Sequence, residues 1–197
     1  MSAKILTLLA LDTATPVSSA AVTGEGLSVQ KIDESGAGHS ESLIGEVDAV
    51  LREAGVSLSD CDAVVFGAGP GAFTGLRVAC GVAQGLAWAK EKPIVAASNL
   101  EALAMKELSG KPTGTRILAA FDARMHQAYC AVYEKAEEGA RLSELVPAEL
   151  VNPDELAGLA ESFGVALASG SGVRAFPESF AVLGDRVTLN PDATVTA

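Results

Sequence analysis

The sequence is poor in aromatic residues and in basic residues. Aromatic side chains make up 5% of its 197 residues, and 14 lysines and arginines stand against 25 acidic residues, which gives a formal net charge of −11. A protein that grips nucleic acid through its phosphates needs a basic face. The chain is therefore not expected to bind nucleic acid on its own, and its acidity suits a basic partner surface.

Cysteine and histidine are also scarce. Cys61, Cys80 and Cys130 are odd in number and form no CxxC pair, which excludes a disulfide framework and a thiolate zinc site and indicates a reducing, cytoplasmic compartment. The two histidines, His39 and His126, lack the HxxxH spacing that would place two ligands on one helical face. No metal site is expected.

Long hydrophobic runs are absent. The apolar run Ile5–Leu11 ends at Asp12, whereas a membrane-spanning helix needs about 20 residues. We interpret the run as a buried first strand and expect no membrane association. Hydrophobic residues nevertheless reach 49%, and most are aliphatic, which favours buried strands and close-packed helices.

An internal repeat organises the chain. Leu8–Asp12 is followed ten residues after its Asp by Val22, and Leu118–Asp122 is followed at the same spacing by Val132. Each copy is typical of a hydrophobic strand that ends in an Asp, a short turn and a second strand. In both halves these strands lead into a third strand and then into βα units, which predicts mixed sheets flanked by helices.

The sequence thus predicts an α/β protein of two duplicated lobes, residues 1–110 and 111–197, joined by the turn-forming linker Ser109–Gly114. Beyond the first hairpin, the predicted strands are Leu27–Asp33, Ala63–Gly67, Pro93–Ala96, Arg116–Asp122, Ala128–Glu134, Glu144–Val151 and Val165–Ser169. The predicted helices run from about Ser40 to Ala54, from Thr74 to Lys90 and from Pro153 to Ser162.

A glycine-rich turn, Gly67–Gly75, joins a strand to a helix, a place where backbone N–H groups can bind phosphate. The Walker pattern fails because no Gly-Lys-Ser/Thr follows. The Rossmann variant matches at Gly67, Gly69 and Ala72, but Pro70 removes an N–H, and no acidic residue follows a second strand at the required spacing. We favour a packing role, in which glycines supply positive φ and close helix approach; nucleotide binding stays open.

The segment Gly69–Arg77 closely resembles the signature of the TsaB (YeaZ-type) family. Leu9–Thr15 and His39–Leu43 resemble the same family in the same order, and Asp122–Arg124 resembles its second-lobe turn. The resemblance covers most of residues 4–135. It implies an actin/heat-shock-70-like (ASKHA, ribonuclease-H-like) fold of two duplicated lobes, in agreement with the repeat.

The resemblance further implies a non-catalytic scaffold without a cofactor. Its expected partner is the related catalytic subunit (TsaD-type), which transfers a threonylcarbamoyl group to the adenosine beside the tRNA anticodon, and a TsaE-type ATPase completes that complex. A homodimer through the surface that binds this partner is also expected, because an uncovered apolar patch favours self-association. The family ends in a further helix; Pro191–Ala193 resembles its start, so the lobe 111–197 is expected to lack most of it.

The residues that follow the two strand-end aspartates argue against catalysis. Actin-like ATPases follow the strand-end Asp with glycines that admit phosphate, whereas here Thr13 and Ala14 follow Asp12, and Ala123 and Arg124 follow Asp122. We interpret both carboxylates as hydrogen-bonding their own turns. The alternative, an actin-like ATPase or phosphotransferase with degenerate phosphate loops, stays open.

The two helices of the first lobe are the expected partner surface. The first has a broad apolar stripe, and the second is apolar nearly all round, which is typical of a helix covered on several sides. The cover could come from the protein itself or from a partner subunit. The predicted interface residues are Leu43, Val47, Val50, Leu76, Arg77, Val78, Val82, Gly85 and Ala89.

Overall fold

A computed structural model of the protein describes residues 5–34, 39–136 and 142–197, without the side chains of residues 39–41. The strands are β1 (Leu8–Asp12), β2 (Ser18–Gly24), β3 (Leu27–Asp33), β4 (Ala63–Ala68), β5 (Ile94–Ser98), β6 (Arg116–Arg124), β7 (Gln127–Lys135), β8 (Leu142–Val151), β9 (Leu167–Ser169) and β10 (Thr188–Asn190). The helices are α1 (His39–Ala54), α2 (Phe73–Ala89), α3 (Asn99–Leu108), α4 (Glu155–Ser162), α5 (Ser171–Ala175) and α6 (Pro177–Ala181).

The chain divides into two compact units. Unit 1 comprises residues 1–98 and 195–197, and unit 2 comprises residues 99–194. The predicted boundary at residue 110 falls inside unit 2, because α3 packs on β6 and β7 of the second sheet. Whether each unit is an independent domain stays a prediction.

Unit 1 contains a five-stranded mixed sheet in the order β3-β2-β1-β4-β5. Strand β1 pairs antiparallel with β2 and parallel with β4. Strand alternation sends Leu9 and Leu11 to one face, where α1 and α2 cover them and the two helices and the sheet share one apolar core. On the opposite face, Ala10, Ala21 and Val65 are half-buried.

Unit 2 repeats this arrangement. Its sheet has the order β8-β7-β6-β9-β10, in which β6 pairs antiparallel with β7 and parallel with β9. Leu118 and Ala120 face the core that α4, α5 and α6 cover, and α3 packs on the sheet as well. Pro147 lies in the edge strand β8, where a residue without an N–H is tolerated and discourages further strand pairing.

The duplicated α/β arrangement predicted from the repeat is therefore confirmed. Helix α3, the short helices α5 and α6, and strand β10 were not predicted. The helix expected to start at Pro191 is not formed, since residues 191–197 contain only a turn; instead, the backbone N–H of Ala197 donates to Ser19 Oγ on β2 at 2.8 Å. No helix in the described ranges is long and apolar enough to cross a membrane.

Candidate functional site

The first feature of the site is the turn that follows β1. Asp12 is 2% exposed, and its Oδ1 accepts the N–H of Ala14 at 3.0 Å, as an Asx turn requires. Its Oδ2 is buried and has no hydrogen-bond partner among the described residues. Burial raises the pKa of Asp12 to about 6, and the Ala14 hydrogen bond opposes this rise.

The glycine loop packs directly against this turn. A Cβ on Gly75 would lie 1.7 Å from the Thr13 carbonyl oxygen, and one on Gly71 would lie 2.6 Å from Ala14 Cβ. The N–H of Ala72 donates to Ala14 O at 2.7 Å, and Thr13 Oγ1 donates to Gly75 O at 2.6 Å. Close packing thus accounts for Gly71 and Gly75, and the N–H of Ala72 at the start of α2 is already bonded.

A similar junction lies in unit 2. Asp122 Oδ1 accepts the N–H of Arg124 at 2.9 Å, and its Oδ2 lies 3.3 Å from Arg124 Nη1. The loop after β9 packs on the end of β6, since a Cβ on Gly170 would lie 2.4 Å from Ala120 O and one on Gly172 would lie 2.9 Å from Ala120 Cβ. Here too, glycine allows the loop to approach the backbone of the neighbouring strand closely.

The hairpin between β6 and β7 has an unusual backbone. Arg124, Met125 and His126 all have positive φ, at 65°, 50° and 59°. Two-residue hairpin turns of this kind normally carry Asn or Gly, because other residues are strained there. Met125 is 93% exposed, while the His126 ring meets Phe176 edge-on with the ring centroids 5.4 Å apart.

A polar cluster that sequence reasoning missed joins α1 to β2. Ser18 Oγ lies 3.0 Å from Ser42 Oγ and also hydrogen-bonds Glu46 Oε1. Ser18 is 1% exposed and Glu46 is 8% exposed. Nothing in the sequence marks Glu46, which stands among apolar helix positions, as a buried group.

A metal ion needs a set of ligand side chains, and His126 is the one histidine whose side chain is among the described residues. The described residues contain no group of three or more His, Cys, Asp or Glu side chains that could hold a metal ion. His126 contacts Phe176, and the side chain of His39 lies outside the described residues.

The structure corrects part of the predicted partner interface. Leu43, Val47 and Val50 are 0–4% exposed and form the core of unit 1, so they cannot contact a partner. The single apolar stripe of α1 is needed to cover its own sheet. Val78 and Val82 also pack against that core and are half-buried.

The remaining predicted interface residues lie on α2. Leu76 is half-buried, whereas Arg77, Gly85 and Ala89 are exposed. The exposed surface of α2 also includes two aromatic side chains that the prediction missed. We call this surface the α2 face and define it by Phe73, Arg77, Gly81, Gln84, Gly85 and Trp88.

Phe73 and Trp88 are the most exposed aromatic side chains on the α2 face. Phe73 is 66% exposed and Trp88 is 88% exposed. Their positions, four residues before Arg77 and four after Gln84, place them on one helical stripe, which is the signal that could have revealed them. At the Trp88 end, an open groove of about 850 Å³ is lined by Gln84, Ala87, Trp88, Glu91, Lys92 and Ile94.

Residues 33–189 match the family model described as TsaD, tRNA N6-adenosine threonylcarbamoyltransferase. The chain is 35% identical over 190 residues to the tRNA threonylcarbamoyladenosine biosynthesis protein TsaB of Escherichia coli, covering 94% of this chain and 82% of that protein. The chain belongs to the TsaB family. The resemblance drawn from its motifs is thereby confirmed.

Solved structures agree on the fold. YeaZ from Pseudomonas aeruginosa superposes with a TM-score of 0.77 at 32% identity, covering 98% of this chain and 87% of that one. Component A of the (R)-2-hydroxyglutaryl-CoA dehydratase of Acidaminococcus fermentans reaches a TM-score of 0.53 at 12% identity, covering 95% and 93%; this likeness concerns the fold alone. The two units of this TsaB-family chain are duplicated α/β modules, as the repeat predicts.

Proposed function

We propose that this chain is a non-catalytic scaffold and dimerisation subunit. It binds a TsaD-type transferase through the α2 face and supports modification of the adenosine next to the tRNA anticodon in the cytoplasm, with a TsaE-type ATPase joining through the complex. The observation that carries this proposal is the α2 face, where Phe73 and Trp88 are exposed on a helix that contains no acidic residue. Exposed aromatic side chains of this kind are frequent anchors of protein interfaces.

The lack of catalysis is argued from the two strand-end turns. In unit 1, the backbone of Thr13 and Ala14 packs against Gly75 and Gly71, which leaves no room for a Cβ at either glycine. In unit 2, Asp122 is engaged by Arg124. The net charge of −11 opposes tRNA binding by this chain alone, so RNA contacts are assigned to the partner.

Glycine substitutions in helices test the interface. Gly85 on α2 and Gly158 on α4 are both exposed, and an added Cβ meets nothing within 4 Å at either position. Leucine should therefore be accepted by the fold at both sites. Gel filtration with light scattering, on this chain mixed with the transferase homologue of its own organism, should give a one-to-one complex that Gly85→Leu prevents and Gly158→Leu preserves. Independent elution of the unsubstituted proteins at micromolar concentration would contradict the scaffold role.

One observation favours the alternative of an actin-like ATPase or phosphotransferase. The Oδ2 atom of Asp12 is buried without a partner among the described residues, and a carboxylate at this strand end could serve Mg-ATP. If so, Mg-ATP at 100-fold its Kd would stabilise the protein by about 2.7 kcal/mol, and Asp12→Asn would abolish the gain. A thermal midpoint that does not move at millimolar Mg-ATP would eliminate this alternative.

A further inference from the structure

We propose that Arg77 is the charged anchor of the α2 face and that it binds a carboxylate on the partner. The inference rests on the proposed function and adds what the partner must present. It also gives a physical reason why a transferase-type partner would be preferred over a second copy of this chain.

The Arg77 side chain contacts an aromatic ring on the surface of α2. Its guanidinium carbon lies 3.8 Å from the centre of the Phe73 ring, so the two side chains form a cation–π contact. Arg77 is exposed and forms no ion pair among the described residues. A planar guanidinium is suited to bidentate binding of a carboxylate.

The charges nearby exclude a partner for Arg77 on its own helix. Helix α2 contains no Asp or Glu, although the whole chain carries 25 acidic residues. On the neighbouring helix α1, Asp48 is paired with Arg52. Because Arg77 itself forms no ion pair among the described residues, the proposed carboxylate is assigned to another molecule.

A second copy of this chain offers a poor match. Two α2 faces packed together would bring one Arg77 towards the other face, whose helix contains a second arginine and no acidic residue. The first carboxylate after that helix is Glu91, at the Trp88 end of the face. Like charges brought together at an interface cost free energy, and such mismatches select against wrong partners. A partner face with one carboxylate among apolar side chains fits better than self-association.

The two glycines of the α2 face let a partner approach closely. An added Cβ on Gly81 or Gly85 meets nothing within 4 Å, so the fold of unit 1 does not require either glycine. Each one nevertheless lowers the stability of the helix relative to alanine. Close approach of a partner would remove water from Arg77 and strengthen its ion pair.

The test compares two neutralising substitutions. Arg77→Met keeps an unbranched side chain and removes the charge, and Lys90→Met does the same at the exposed C-terminal end of α2. Binding to the transferase homologue is measured by isothermal titration calorimetry at low and high salt. We expect Arg77→Met to raise the Kd for the transferase homologue roughly 10- to 100-fold at low salt and to make this Kd less dependent on salt. Lys90→Met should change the Kd less than about twofold.

Charge reversal identifies the ligand. Arg77→Glu should abolish binding, and a single Asp or Glu to Arg substitution on the transferase surface should restore it. Arg77→Met should also leave self-association of this chain unchanged or strengthen it. If Arg77→Met binds the transferase as well as the unsubstituted chain does, the anchor is refuted.

The Gly85→Leu variant separates this outcome from failure of the proposed function. If Gly85→Leu prevents the complex while Arg77→Met does not, the α2 face is the interface and only the anchor is wrong. If the unsubstituted chain fails to bind the transferase, the proposed function fails with it. If Arg77→Met and Asp48→Asn each cause a homodimer to dissociate, the carboxylate that Arg77 binds belongs to a second copy of this chain. The assignment to a transferase is then overturned.

Discussion

Asp12, at the end of β1, and Asp122, near the end of β6, occupy equivalent positions in the two units. Their side chains nevertheless differ in burial and in hydrogen-bond partners. In both turns, the first carboxylate oxygen accepts the backbone N–H two residues ahead, at 3.0 Å for Asp12 and 2.9 Å for Asp122. The second oxygen of Asp12 is buried without a partner among the described residues, whereas the Asp122 side chain is 24% exposed and reaches Arg124. The Asx turn is therefore common to the two units, whereas the surroundings of the second carboxylate oxygen differ between them.

Substitution of the glycines that pack against the two turns should cause the largest loss of unfolding free energy. In Gly75→Ala the new Cβ would lie 1.7 Å from Thr13 O, and in Gly170→Ala it would lie 2.4 Å from Ala120 O at a φ of +111°. Because both contacts are with backbone, we expect each substitution to cost more than about 3 kcal/mol of unfolding free energy. Urea unfolding followed by circular dichroism measures the loss.

The matched control for these glycines is Gly85→Ala, also on α2 but with open space around its Cβ. It should stabilise the protein by about 0.5–1 kcal/mol through helix propensity. Equal unfolding midpoints for Gly75→Ala and Gly85→Ala would contradict the close packing of the β1 turn on α2.

The titration of Asp12 is the next largest difference between the units. Its pKa of about 6 in the folded protein lies above the ordinary value of 3.8, so the folded state keeps a proton that the unfolded state has lost between these pH values. Stability from this group is present below pH 4 and is lost as pH rises through about 6, a loss of roughly 3 kcal/mol. Asp12→Asn keeps the acceptor for the Ala14 N–H and should remove this pH dependence.

The measurement is the unfolding free energy of both proteins at pH 4 and pH 7. The advantage of Asp12→Asn over the unsubstituted protein should grow by roughly 3 kcal/mol between the two pH values. Asp12→Ser, which also cannot ionise, should change in the same direction. A difference that stays constant with pH would mean that Asp12 ionises in the folded state as readily as in the unfolded one.

Much of the fold could be predicted because its signals are local. The repeated strand–Asp–strand pattern identified both hairpins, and the strand–glycine–helix run placed β4 and α2. Helix α3 was missed because it begins at Asn99 directly after β5 ends at Ser98, with no loop between them. The run Ser98–Glu101 matches the S-x-x-E capping box and was the signal that could have revealed the helix. Strand β10 and helix α5, at three and five residues, are too short to show periodicity.

The partner surface could be predicted only in part. Amphipathicity finds the apolar stripe of α1, but it cannot distinguish a stripe that meets its own sheet from one that meets a partner, and Leu43 and Val47 do the former. Helix α2 is apolar nearly all round, so the sequence could not select its free side. Tertiary packing selects it, by burying Ala79, Ala83 and Ala87 and leaving Trp88 outside.

The hairpin of unit 2 offers a smaller, stabilising test of its strained turn. Met125 has a φ of 50° and is 93% exposed, so it contributes little packing and adopts a conformation that Asn tolerates better. We expect Met125→Asn to raise the unfolding free energy by about 0.5–1 kcal/mol. Val182→Asn, at an exposed position with a φ of −66°, is the control and should give no gain.

The smallest effect should come from the ion pair that distinguishes Asp122 from Asp12. Arg124 is 87% exposed and its closest approach to Asp122 is 3.3 Å, so solvent screens the pair and Arg124→Ala should cost at most about 0.5 kcal/mol. The variant keeps the Asx turn, because the donor to Asp122 Oδ1 is the backbone N–H of residue 124. Asp122→Ala removes that acceptor and should cost about 1 kcal/mol. If thermal unfolding shows Arg124→Ala to be the more damaging change, the ion pair rather than the Asx turn stabilises unit 2, and the two aspartates hold their turns by different means.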